Sequence, residues 1–181
     1  MVVNLGSASA TGWGNDTVRG FENVTGSSFN DTITGDSANN VLTGGAGADS
    51  ITGAGGADRF DYRVLSDSLP SSGLDVIPDF NANNNANANA GGDKLLGCTP
   101  RGGGLNGGAV SALANSAIGA KLTTTSFLPH YAASFQVGSG ASMRTYIAIN
   151  NGSAGFNVLT DALINVTGLS GTIDASDFVT S

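Results

Sequence analysis

Gly44-Gly45-Ala46-Gly47-Ala48-Asp49-Ser50-Ile51-Thr52 decides how this chain folds. It fits the pattern G-G-x-G-x-D-x-U-x, with U a large apolar residue, at every fixed position. The pattern returns every nine residues on both sides. Blocks begin at Thr17, Gly26, Gly35, Gly44 and Gly53. Their sixth positions are Glu22, Asp31, Asn40, Asp49 and Asp58, and their eighth positions are Val24, Ile33, Leu42, Ile51 and Phe60. Thr17–Asp61 is therefore one repeat array.

The period has a physical meaning. The first six residues of a block are small, polar and glycine-rich, which suits a tight turn. The last three form a short x-U-x strand, and alternation sends U to one side and its neighbours to the other. Successive blocks then wind a flattened coil with two blocks per full turn. The U side chains fill a thin core and the turns stack along two rims. On one rim Asp31 meets Asp49; on the other Asn40 meets Asp58. Backbone carbonyls and one side-chain oxygen group per turn lie between stacked turns. Such a hard, all-oxygen environment suits calcium. The best candidate site pairs Asp31 with Asp49, with carbonyls from the turns that open at Gly26 and Gly44. Asp58 with Asn40 is weaker, because Asn brings no charge. Asp16 and Glu22 precede the settled register.

Thr17–Asp61 resembles the RTX (repeats-in-toxin) parallel β-roll of proteins exported by type I secretion. Upstream, residues 12–18 read as a further degenerate block, followed by the turn Gly20-Phe21-Glu22-Asn23-Val24. Downstream, Ala57-Asp58-Arg59-Phe60-Asp61-Tyr62, Leu74-Asp75-Val76-Ile77-Pro78-Asp79-Phe80 and Gly92-Asp93-Lys94-Leu95 are similar to the stretch that ends the roll in the serralysin group. Residues 144–178 are similar to the tails of cyanobacterial RTX-type proteins. The acidic-then-apolar close, residues 174–181, resembles an uncleaved type I export signal.

The resemblance implies an all-β chain in two parts. Residues 1–64 form the roll. Residues 65–181 form a mostly antiparallel cap with one short helix, suggested by Val110, Leu113, Ala114, Ala117 and Ile118 at helical spacing. It implies a calcium-binding module at the C-terminal end of a larger extracellular protein, which meets the type I secretion machinery during export and folds on calcium afterwards. It also implies a last calcium site at Asp75 and Asp79. These are four apart, so in a helical turn they share a face. Residues 81–92, rich in Asn and Ala, separate Asp79 from Asp93 where the family has a short connection, which tells against Asp93 as a ligand.

Composition agrees with this reading. The 181 residues carry 14 acidic against 7 basic side chains, for a net charge of −7, with 28 Gly and 4 Pro. That balance disfavours nucleic acid and anionic membranes and favours divalent cations. Cys98 stands alone, so no internal disulfide forms, and it reads as a small buried hydrophobe. No transmembrane run or N-terminal signal is present. His130 is the only histidine, and neither H-E-x-x-H nor G-x-S-x-G occurs, so the chain carries no enzyme motif. Candidate strands in the cap are Ser134–Val137, Met143–Ile149 and Ala162–Thr167, with a hairpin turn at Gly138-Ser139-Gly140. Two other roles use the same repeat. An exposed coil edge could self-associate into a filament or surface layer. The threonines at position nine (Thr25, Thr34, Thr43 and Thr52) could bind ice or another ordered surface.

Overall fold

A computed structural model describes residues 1–71, 73–82, 92–97, 106–110, 122, 132–150, 155–157, 161–173 and 175–179. The repeat dictates its first half. Each block places one three-residue strand around its U residue: β4 (Asn23–Thr25), β5 (Thr32–Thr34), β6 (Val41–Thr43), β7 (Ser50–Thr52) and β8 (Arg59–Asp61). Strands two blocks apart pair in parallel. β5 pairs with β7, setting Ile33 beside Ile51, and β4 pairs with β6, which pairs with β8, setting Val24, Leu42 and Phe60 in line. A strand of only three residues turns one side chain inward, which is why the block carries a single large apolar residue.

The N-terminal segment departs from the period. β1 (Val2–Asn4) pairs in parallel with β5, but β2 (Ser9–Thr11) and β3 (Asn15–Thr17) then continue that sheet antiparallel. Residues 12–18 are thus not a repeat block. Asn15, Asp16 and Thr17 are all exposed in β3, and Val18 just beyond it packs against the core from outside the parallel stack.

After β8 the chain keeps adding to both sheets. β9 (Lys94–Leu96) pairs in parallel with β8, and β14 (Phe178–Val179) with β9. Val76 bridges in parallel to Ser50 of β7 on one side and to Asn165 on the other. Asn165 ends β13 (Ala162–Asn165), which belongs to a four-stranded sheet with β10 (Asn106–Val110), β11 (Ala132–Val137) and β12 (Arg144–Ile149). In that sheet β11–β12 and β12–β13 are antiparallel and β10–β11 is parallel. Among the described residues, helical structure is limited to three short 3₁₀ turns. Val110 ends a strand, and the rest of the expected helix lies outside the described residues, as do Cys98 and His130.

One apolar cluster runs the length of the stack: Val3, Ile33 and Ile51 from one sheet, Val24, Leu42, Phe60 and Leu95 from the other, then Ile77, Phe80, Ile164 and Phe178. Phe60 and Phe80 rings lie 5.8 Å apart. A second cluster, with Phe135, Tyr146 and Leu163, covers the far face of the antiparallel sheet. The position-nine threonines make rows only two long, Thr34 beside Thr52 and Thr25 beside Thr43. Removing the Phe60 ring empties the centre of the stack. Phe60→Ala is expected to lower stability by about 3–5 kcal/mol, read by urea denaturation in saturating calcium; a loss under 1 kcal/mol contradicts this packing.

Candidate metal centre

Each rim of the stack is tied by a repeated hydrogen bond. The backbone N–H of one turn's sixth residue donates to the side-chain oxygen of the next turn's sixth residue. On the first rim Asp31 donates to Asp49 Oδ1 (2.8 Å) and Asp49 to Asp75 Oδ1 (2.9 Å). On the second rim Asn40 donates to Asp58 Oδ1 (2.9 Å) and Asp58 to Asp93 Oδ1 (2.9 Å). Asp31, Asn40, Asp49, Asp58, Asp75 and Asp93 are all buried. Two ladders result, Asp31–Asp49–Asp75 and Asn40–Asp58–Asp93.

The structure separates some residues that the sequence put together. Asp75 and Asp79 share no helical face. Residues 75–77 are extended between β7 and β13, so Asp75 ends the first ladder. Asp79 lies on the opposite rim, where its two oxygens accept the N–H groups of Gly53 (3.1 Å) and Ala54 (2.8 Å). Asp16 is exposed in β3, away from both ladders, and Glu22 is exposed and joins the sheet only through its carbonyl. Asp93, set aside because of the Asn-rich insertion, sits in register: Lys94 and Leu95 pair with Arg59 and Phe60, and Asn81 N–H donates to Asp93 Oδ2 (2.9 Å). A signal for it was present. Asp75-Val76-Ile77 and Gly92-Asp93-Lys94-Leu95 both keep the D-x-U triplet of Asp49-Ser50-Ile51, although the nine-residue count is broken.

The ladder bond uses one oxygen of each carboxylate. The Oδ2 atoms of Asp49 and Asp75 are buried without any hydrogen-bond partner. Such orphaned anionic oxygens in a native fold call for an ion or water. Their surroundings are rich in further oxygens. A Cβ on Gly26 would strike the carbonyl of Gly44 and come within 2.7 Å of Asp31 Oδ2; one on Gly44 would strike Asp49 Oδ2. Glycine at the first position therefore leaves room for oxygens of two adjacent turns. Gly45 follows with φ +89, where a side chain is strained. Among the described residues no three His, Cys, Asp or Glu side chains form a metal cluster. Every stacked turn but that of Asn40 brings a carboxylate to its ladder, and carbonyls such as that of Gly44 lie beside them, a hard donor set that fits calcium.

A family model, the RTX calcium-binding nonapeptide repeat in four copies, matches residues 25–60. Residues 25–60 thus carry RTX calcium-binding repeats. This repeat family binds calcium, is a structural rather than enzymatic module, and is typical of secreted proteins. No curated protein matches the chain. Among the described residues no helix is long and apolar enough to cross a membrane.

Charge in the ladders is poised. Burial, with the charges of Asp93, Asp79 and Asp36 adding to it, pushes the Asp58 carboxyl up to about 7. Burial, with Asp49 and Asp67 nearby, pushes Asp75 up to about 7. Asp49 and Asp93 are raised by burial as well. Burial alone would also raise Asp31, but the Met1 ammonium and the Ser27 N–H and hydroxyl outweigh it and hold that carboxyl below its ordinary value. In chelator the fold thus binds protons at Asp58 and Asp75 more tightly than the unfolded chain does. Stability is expected to rise as pH falls from about 7 towards the ordinary value of 3.8. With calcium bound the sign reverses, since protons then displace the ion. The folded fraction read by far-UV circular dichroism across this pH range, with and without calcium, checks both; a β signal that falls with acid in chelator contradicts the assignment.

Proposed function

We propose that this chain is a calcium-dependent folding module: a roll over residues 1–64, parallel in its repeats from β4 to β8, that forms when calcium enters the two ladders, joined to a C-terminal cap over residues 65–181. The two orphaned carboxylate oxygens on the first ladder carry this reading. Asp31, Asp49 and Asp75 hold ions on one rim with turn carbonyls around Gly26 and Gly44. Asn40, Asp58 and Asp93 do so on the other, where Asp79 fixes the neighbouring turn. Calcium supplies the positive charge that lets these carboxylates stay ionised while buried.

The physical consequence is a switch. One large apolar side chain per nine residues is little to set against backbone entropy of about 1–2 kcal/mol per residue. Acids on adjacent turns repel as well. At the low calcium of a cell interior the roll stays open. Outside, a site whose Kd lies tenfold below ambient calcium contributes on the order of 1.4 kcal/mol by mass action. Affinities of about 10⁻⁴–10⁻³ M, usual for extracellular modules, place the transition between the two compartments. Export of an unfolded chain by the type I machinery, with the signal at the C-terminal end of a larger protein, fits this order of events.

Far-UV circular dichroism during a calcium titration tests the proposal, with magnesium as control and Asp49→Asn alongside. The expected result is a cooperative gain of β signal in calcium alone, with the midpoint moved about tenfold higher in the variant. A chain fully folded in chelator contradicts it.

A further inference from the structure

The loop after β8 is a stretched turn of the first rim. In the regular turns, residues 26–31 and 44–49 carry the chain from one sheet to the other; here residues 62–75 do so. The first position, glycine in those two turns, is Tyr62. Its side chain is buried, and its backbone N–H donates to the Leu96 carbonyl at 2.8 Å. The loop then makes a short 3₁₀ turn at Leu65–Ser68 and returns to Asp75. Ser68 holds the return in place. Its hydroxyl accepts the Asp75 N–H (2.9 Å) and donates to the Leu163 carbonyl of β13 (2.8 Å).

Three buried side-chain oxygens among the described residues lack a hydrogen-bond partner: Asp49 Oδ2, Asp75 Oδ2 and the Tyr62 hydroxyl. They belong to one place. Asp49 and Asp75 are consecutive rungs, and the charges acting most strongly on Tyr62 are those of Asp75 and then Asp49. The donor nearest to these oxygens is the Tyr62 O–H itself, which acts on Asp75 and leaves Asp49 Oδ2 without a donor. Two carboxylate oxygens and a phenol oxygen, whose proton faces Asp75 and whose lone pairs stay open, form the donor set of a hard cation.

We propose that Asp49, Asp75 and the Tyr62 hydroxyl together form a divalent-cation site at the junction between the repeat stack and the antiparallel sheet, with Tyr62 as a third side-chain oxygen donor. The proposal rests on the calcium reading of the ladders and gives this rung a ligand that the nonapeptide pattern does not contain. Burial and the adjacent carboxylates keep the phenol protonated, so it acts as a neutral oxygen. The main chain of residues 75–77 bonds to β7 on one side and to Asn165 on the other, so an ion here fastens the two sheets through a single strand.

Terbium, a luminescent stand-in for calcium that tyrosine sensitises at close range, provides the test in the full chain. Trp13, exposed in the turn between β2 and β3, is first replaced (Trp13→Phe) to remove indole emission. In that background, tyrosine excitation of the terbium-loaded protein is expected to give sensitised emission. Tyr62→Phe, which keeps the ring, should abolish most of it and raise the calcium concentration needed to displace the ion by about tenfold. Circular dichroism in saturating calcium verifies that the variant is folded. Terbium bound in equal amount by both proteins, with unchanged emission and displacement, overturns the role of Tyr62 and leaves the ladders standing. Failure of both proteins to bind terbium or calcium in equilibrium dialysis overturns the calcium reading and this site with it.

Discussion

The fold depends on one hydrogen bond, repeated along each rim: a backbone N–H near a strand start donates to a carboxylate oxygen of the turn stacked on it. It fixes the register of each sheet from outside the sheet, at the rim. It also places an acidic side chain in every stacked turn but that of Asn40, and at Asp49 and Asp75 leaves the second oxygen buried without a partner. An uncharged side chain in these positions would spare the burial of charge. A carboxylate makes the stack conditional, because a buried anion must be neutralised by a proton or a cation. The raised carboxyls of Asp58 and Asp75 express that tension.

The top of the first ladder illustrates the same rule. There the Met1 nitrogen takes the place that a peptide N–H has on a lower rung, and it pairs with Asp31 Oδ1. A positive charge at that point draws the Asp31 carboxyl down, while the carboxyls without such a charge, Asp49 and Asp75, are pushed up. At the other end the ladders do not stop at the last regular block. Asp75 and Asp93 add one more rung to each rim, and the strands that follow them, around Val76 and Leu95, carry the apolar core into the C-terminal region. Repeat and cap are thus continuous in hydrogen bonding.

The sequence made the array legible because two independent signals share its period: the acid or amide at the sixth position and the U residue at the eighth. The pairing of Asp31 with Asp49 and of Asn40 with Asp58 follows from period and parity alone, as does the all-β character. Where the count breaks, the reading went astray. Asp75 and Asp79 looked like one site because spacing by four suggests a helical face, yet Val76 is drawn into the edge of β7 and sends them to opposite rims. Asp93 looked displaced by the insertion, yet a turn can lengthen without moving its last residue, since closing a longer loop adds little entropy cost. Asp16 looked like part of the array because Gly12 and Gly14 mimic a block, but β3 pairs antiparallel and Val18 packs against the core from outside the parallel stack. Tyr62 carried no signal: its role arises from a contact across a lengthened turn, which no local pattern records.

The most direct test of the account is native-state hydrogen exchange at the backbone amides of Asp31, Asn40, Asp49 and Asp58, the four that donate to the ladders. With calcium bound, all four should be among the slowest to exchange. In chelator near neutral pH they should lose protection together, by at least a hundredfold. Slow exchange at these amides that persists unchanged in chelator would show that the ladders stand without a cation, and would contradict the claim that calcium holds the stack together.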